Sequence, residues 1–307
     1  MKTKYSSNWS VPAHITGLFQ IVENDDPLKM GSRGAGFSIS KRVVTRISLK
    51  EINDEIHEVY FNDQKIDGVV SLEVAKSFTD QIKDSVLIIQ HKSPLPIQAG
   101  FGTSGAGALG TVFALNEIFD TKKSKEELGQ IAHKAEVVCR TGLGDVISQL
   151  QGGAEIRLEP GAPGVGVIKE FPWPIEELIL VASIGTMSTK DIITSPKMIE
   201  KINNYSNQLL HELNEKPTLD EFLRVSFEFA DKTGLMSEKL KKLITYLRKD
   251  EYSASMVMLG DSLFVVGDIY DLEECSNIID NYDPNAKIWI DSLSNLGPIV
   301  LDTKIFD

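Results

Sequence analysis

Residues 94–110 read PLPIQAGFGTSGAGALG, a glycine-rich loop that runs directly into apolar residues at helical spacing: Leu109, Val112, Phe113 and Leu115. Such a loop before a helix presents bare backbone N–H groups and a helix N-terminus, an arrangement suited to phosphate. Thr103 and Ser104 add hydroxyls able to meet phosphate oxygens or Mg²⁺. Seven small residues in a row, 102–108, exceed what close helix packing alone requires.

The spacing Gly100-x-Gly102-x-x-Gly105 formally matches a dinucleotide fingerprint, but its context does not. Residues 93–99, with two prolines, separate the strand-like run 85–90 from the first glycine. The acids about 20 residues on, Glu117 and Asp120, fall on the helix itself rather than at the end of a second strand. No lysine follows the glycines, which excludes a P-loop.

A chain of 307 residues has the length of about two domains. Its net charge of −12 argues against a nucleic-acid or anionic-membrane binder, leaving room for ATP at one local cradle. Cys139 and Cys275 form no metal or redox spacing and read as reduced thiols. The N-terminus has no signal-peptide core, and apolar runs such as 178–182 are too short to span a bilayer, so a soluble, cytoplasmic protein is expected.

Gly31, Gly34 and Gly36 read as a second glycine-rich turn before a strand. Residues 43–49 alternate as a half-buried strand, with 56–61 expected to pair with them. Residues 72–83 read as a short helix, and 124–140 as a helix opened by a capping box, Ser124 with Glu127. The Gly/Pro-rich stretch 160–174 is the expected junction between domains 1–165 and 166–307. Beyond it come a strand (177–184), three helical stretches (194–214, 218–231, 236–249) and two strands (254–259, 262–266) joined at Gly260-Asp261. A short helix near 271–280 and a strand at 286–290 close the chain. Strands and helices in runs point to the α+β class.

PxxxGFGTSGAG before a helix resembles the second motif of the GHMP kinases, the superfamily of galactokinase, homoserine kinase and mevalonate kinase. SVPAHITGLF near the N-terminus, TGLGD at 141–145, Ser188-Thr189-Lys190 and a degenerate ASMVMLG at 254–260 extend the likeness. Within the superfamily, PAHITGLF, GSRGAGFS, GFGTSGAGALG and AHKAE followed by Asp145 are similar to the archaeal pantoate kinase family. The resemblance implies a two-domain GHMP kinase fold with the active site in the interdomain cleft. ATP and Mg²⁺ are the implied cofactor and metal, pantoate the substrate, coenzyme A synthesis the setting, and a homodimer the assembly.

It also implies roles. Gly100, Gly102, Thr103, Ser104, Gly105 and Ala106 would hold ATP, and Ser104 with Glu136 would hold Mg²⁺. Asp145 would be catalytic, acting on the attacking hydroxyl; its plain alternative is an N-cap for residues 146–151. Glu136 alternatively lies on a solvated helix face. Ser32, His133 and Arg157 would surround the acid substrate, although Arg157 also has Glu155 and Glu159 as surface partners. Lys190 would face phosphate or substrate, or else be a solvated loop lysine. Departures from the broader superfamily are His14 where mevalonate kinases carry a catalytic lysine, glycine rather than alanine at 105, and the degenerate third motif. Homoserine or mevalonate phosphorylation, and a catalytically inactive ligand-binding relative, are the competing readings.

Overall fold

The computed structural model describes residues 3–51, 57–82, 85–303 and 305–306. The first half holds β1 (Thr3–Tyr5), β2 (Asn8–Val22), β3 (Gly31–Glu51), β4 (Glu58–Phe61), β5 (Gln64–Ile66), α1 (Val69–Lys76), α2 (Thr79–Ile82) and β6 (Ser85–Lys92). Then come α3 (Thr103–Phe119), α4 (Lys125–Cys139), α5 (Asp145–Gln151), β7 (Ala154–Glu159), β8 (Val167–Glu170) and β9 (Leu178–Ser183). The remainder is α6 (Thr189–Ile193), α7 (Pro196–Glu215), α8 (Leu219–Thr233), α9 (Glu238–Lys249), β10 (Ser253–Val257), β11 (Ser262–Gly267), α10 (Ile269–Tyr282), β12 (Lys287–Asp291) and β13 (Ile299–Leu301).

Among the described residues the strands form two sheets. A large one runs β13-β2-β3-β6-β4-β5, with β1 and β7–β8 paired along other stretches of β3; a smaller one runs β10-β11-β9-β12. Pairing is antiparallel except between β4 and β6. That pattern is α+β and rules out the parallel sheet of a dinucleotide-binding domain. The expected divide at residue 165 falls between β7 and β8, which pair with each other, and β13 returns from the chain's end to pair with β2. Backbone hydrogen bonds therefore tie the two halves together.

One apolar cluster, including Val43, Ile47, Leu109, Val112 and Leu128, packs α1, α3 and α4 against the large sheet. Helix α3 is apolar on nearly every side, as its burial from Gly105 to Leu115 requires. The other cluster joins β2 and β3 to α7, α8 and the small sheet. At its centre Phe37 of β3 meets Phe222 of α8 and Phe264 of β11 edge-on, with ring centroids 5.8 and 5.4 Å apart. Edge-to-face pairs contribute about 0.5–1.5 kcal/mol each beyond area burial, so this contact adds to the shared core that joins the halves.

Several local expectations change. Residues 31–36 are not a turn but the start of β3, paired with β2 and β7, because its neighbours are buried on both sides. Strand β4 pairs with β6 rather than with residues 43–49, whose edges are already taken by β2, β6 and β1. The helix expected at 72–83 is two short ones, α1 and α2; residues 56 and 83 lie outside the described residues. The Gly/Pro stretch contains β8, and β13 follows the strand expected to end the chain. The capping box at Ser124–Glu127 is present in full. Both cysteines are free, Cys275 buried and Cys139 partly so. No described helix is long and apolar enough to cross a membrane.

Candidate active site

A cleft opens between the halves, lined by the glycine loop, by Thr141–Asp145, and by Thr189, Ile193, Met258 and Leu259 from the C-terminal half. The loop reaches it through two glycines in left-handed backbone, Gly100 at φ 86° and Gly102 at φ 61°, conformations that other residues adopt at a steric cost. Gly102 is the N-cap of α3 and supplies no side chain to bond the first-turn N–H groups, and no acid stands in that turn. The positive end of a 17-residue helix therefore points into the cleft uncapped, a ready anion cradle. The degenerate third motif forms the wall behind it: a Cβ on Gly260 would lie 2.0 Å from the Ala99 carbonyl oxygen. The hairpin β10–β11 buttresses the loop by backbone contact, which requires smallness rather than a glycine run.

Glu136 projects from α4 toward the same end, and its carboxylate is almost wholly buried, at 1% exposure. Thr141 Oγ1 donates to its Oε1 at 2.7 Å, while Oε2 has no hydrogen-bond partner. Burial, reinforced by the nearby Asp145 charge, pushes this carboxyl up to about 7, against opposing pulls from Thr141 and Ser104. None of those groups is a cation. A Cβ on Gly142 would lie 2.1 Å from Glu136 Oε2 and 3.4 Å from Asp145 Oδ2, so both acids crowd one glycine. A solvated helix face is thereby excluded for Glu136.

Asp145 opens α5 as its first helical residue; the N-cap is Gly144, not Asp145 as the sequence alternative had it. Being half-buried, it lines the cleft. Ser148 and Gln149 share its helix face at i+3 and i+4. Gln149 Nε2 donates to the Gly102 carbonyl at 2.8 Å, coupling α5 to the glycine loop. This also accounts for glycine at 105: a Cβ there would meet Gln149 Oε1 at 2.8 Å.

On the opposite wall, strand alternation buries Glu155 and Arg157 of β7 side by side, at 0% and 2% exposure. Arg157 Nη1 donates to Glu155 Oε1 at 2.6 Å, so the expected Glu155 partnership exists but in the interior rather than at the surface. The same oxygen accepts from Ser148 Oγ at 2.9 Å, and His14 Nε2 lies 3.1 Å from it. His14 Nδ1 lies 2.9 Å from Asp145 Oδ1. The glycines of β3 make room for these side chains: a Cβ on Gly34 would lie 2.5 Å from Arg157 Nη2, and one on Gly36 2.7 Å from His14 Nε2. Arg157 Nε has no partner. It converges with Ser32, since a Cβ on Gly144 would lie 2.3 Å from Ser32 Oγ and 2.8 Å from Arg157 Nε.

Of the residues singled out in the sequence, Gly100, Gly102, Thr103, Ser104, Asp145, Ser32 and Arg157 line one cleft. Gly105 and Ala106 lie behind its surface in the first turns of α3. His133 does not line it; its buried ring bonds through Nε2 to the Met30 carbonyl at 2.9 Å, and burial lowers its pKa. Lys190 is exposed, one residue from the cleft-lining Thr189. Sequence reasoning missed the roles of His14, Ser148, Gln149 and Glu155 in this network. Their signals were polar side chains inside apolar runs and the i, i+3, i+4 spacing from Asp145. Among the described residues no group of three or more His, Cys, Asp or Glu side chains is arranged to hold a metal.

Comparison with known proteins agrees with this anatomy. Residues 70–153 match the model of the GHMP kinases N-terminal domain. The chain is 36% identical to the pantoate kinase of Methanocaldococcus jannaschii, over 88% of this chain and 96% of that one. It is 34% identical to the pantoate kinase of Thermococcus kodakarensis, over 83% and 86%. A solved phosphotransferase related to the CoA biosynthesis pathway superposes with a TM-score of 0.85 at 30% identity, covering 97% of this chain and 98% of that one. A homoserine kinase from Cytophaga hutchinsonii shares the fold at 14% identity and a TM-score of 0.71. Identity at this level over most of both chains, together with the matching N-terminal domain, places this chain in the pantoate kinase family of the GHMP kinases.

Proposed function

We propose that this enzyme transfers the γ-phosphoryl group of ATP to the C4 hydroxyl of (R)-pantoate, giving ADP and (R)-4-phosphopantoate for coenzyme A synthesis. The observation that carries the reading is the position of Asp145 between an anion cradle and a buried arginine. A Cβ on Gly102 would lie 3.3 Å from Asp145 Cγ, while Ser32 and Arg157 Nε converge beside Gly144, the residue before Asp145. A molecule carrying both a hydroxyl and a carboxylate fits between them.

Backbone N–H groups of residues 100–106 and the start of α3 hold the triphosphate. The hydroxyl oxygen forms a bond to the γ-phosphorus as the bond to the β,γ-bridging oxygen breaks, its electron pair leaving with ADP; the hydroxyl proton passes to Asp145. Arg157 Nε and Ser32 Oγ hold the substrate carboxylate. His133 acts indirectly, anchoring the Met30 carbonyl and hence the start of β3 that carries Ser32.

The residues present fit Mg²⁺. A buried carboxylate oxygen of Glu136 without a partner, close to the Ser104 hydroxyl, is the donor set a hard cation completes with phosphate oxygens and water. When bound, the metal would neutralise charge on the phosphates. The halves 1–165 and 166–307 serve in this reading as the two domains, with β8 and β13 completing the first one's sheet. A homodimer and a cytoplasmic location belong to the same reading, the former testable by sedimentation velocity.

A coupled assay of ADP release with pantoate, pantothenate, homoserine and mevalonate tests the proposal. Turnover should be confined to pantoate; no turnover with it, or faster turnover with another of the four, overturns the assignment.

A further inference from the structure

His14 is fully buried, yet each of its ring nitrogens faces a carboxylate oxygen, Asp145 Oδ1 at 2.9 Å and Glu155 Oε1 at 3.1 Å. A carboxylate only accepts hydrogen bonds, and a neutral imidazole has one N–H. One of these two contacts would then set lone pair against lone pair in a dry interior. With both acids ionised, only the doubly protonated ring satisfies both.

The charges around it point the same way. From α5 the facing group is Asp145, and from β7 it is Glu155, itself bound to Arg157; β3 faces the ring with Gly36, and the His14 backbone N–H donates to the Phe101 carbonyl of the loop at 3.1 Å. With a neutral ring, two carboxylates share one guanidinium, and an anionic substrate meets a net negative wall. With an imidazolium, charges alternate Asp145–His14–Glu155–Arg157 and balance.

We propose that His14 is a protonated positioning residue that clamps Asp145 toward the cleft and shares the Glu155 charge, so that Arg157 retains attraction for the substrate carboxylate. This rests on the phosphorylation reading above and adds to it a buried cation. Burial acts to lower the pKa of the ring, but Glu155 and Asp145 together outweigh it and raise the value.

The test has two arms. In ¹⁵N-histidine-labelled enzyme, with the His14 signals identified by their loss in His14→Gln, both ring nitrogens should be protonated at pH 7.5. A single neutral tautomer overturns the proposal. In kinetics, His14→Gln should lower kcat by about 100-fold, the scale of a misplaced reacting group. It should also raise the KM for the acid while leaving that for ATP unchanged, and His14→Lys should restore part of the rate. Rates within twofold of wild type in His14→Gln overturn it. If that variant does not fold, Glu155→Gln serves instead: His14 should then lose its proton at lower pH, and an unmoved titration overturns the proposal. A wild-type enzyme inactive toward every acid would sink the phosphorylation reading instead, while the ¹⁵N spectrum still decides the charge of His14.

Discussion

Two buried acids lie behind the walls of this cleft, close to Asp145 and His14, and they are served differently. Glu155 is 0% exposed; its Oε1 gathers Arg157, His14 and Ser148, while its Oε2, like one oxygen of Glu136, has no hydrogen-bond partner, so the difference between the two acids is the guanidinium. Glu136 is 1% exposed and has a threonine hydroxyl, another acid nearby and an unpartnered oxygen. Burying a carboxylate without a cation is costly, and proteins avoid it unless something outside the chain completes the site. Glu155 thus has a counter-charge within the chain, Arg157, and belongs to the scaffold. Glu136 lacks one, which is what a residue awaiting a metal would show.

Asp145 touches both regions, so changing it should have the largest effect. Asp145→Asn is expected to lower kcat by about 10³-fold, roughly 4 kcal/mol. Because its charge also raises the Glu136 pKa, the same variant should shift the Glu136 titration downward, as read by ¹³C NMR of the carboxyl. A rate near normal would remove Asp145 from the chemistry, and an unmoved Glu136 would uncouple the two regions.

The next effect concerns Glu136 alone. A carboxyl raised from 4.5 to about 7 binds its proton more tightly folded than unfolded. The folded state then holds more protons between those values, so stability is present at low pH and lost as pH climbs through that window. The loss can reach about 3 kcal/mol. Denaturant melts of metal-free protein between pH 4.5 and 8 should show it. Adding Mg²⁺ with a nucleotide should stabilise the protein more at pH 8 than at pH 5, and Glu136→Gln should flatten the pH dependence. A flat profile in the wild type would erase the contrast with Glu155.

The smallest expected effect is on the other side. Arg157→Lys keeps a cation for Glu155 but loses the planar fork whose free Nε faces Ser32. The melting temperature should change little while the KM for the acid rises about tenfold, roughly 1.4 kcal/mol. Equal effects on the KM for ATP would mark Arg157 as structural only.

Much of the site was legible because its chemistry is local. The glycine loop, its uncapped helix and Asp145 in a glycine-flanked turn lie in short contiguous stretches whose backbone needs residue types show directly. Less local features misled. Gly34 and Gly36 look like a turn in isolation, and only the side chains they admit, Arg157 and His14, explain glycine within a strand. His133 follows the right helix spacing from Glu136 yet spends its ring on Met30, because α4 turns that part of its face toward the start of β3. The pairing of β4 with β6 was likewise invisible, since strand periodicity says which face is buried and not which neighbour lies alongside.

The sequence by itself determined the glycine loop before α3 and the α+β class, because these depend on backbone freedom and periodicity over short spans; it singled out Glu136 and Asp145 only through the family resemblance. Only the tertiary structure decided which acid is neutralised and which is left open. His14, Asp145, Glu155 and Arg157 come from three elements spread over more than 140 residues, and the electrostatics of a buried group depend on what folding brings within about 3 Å of it.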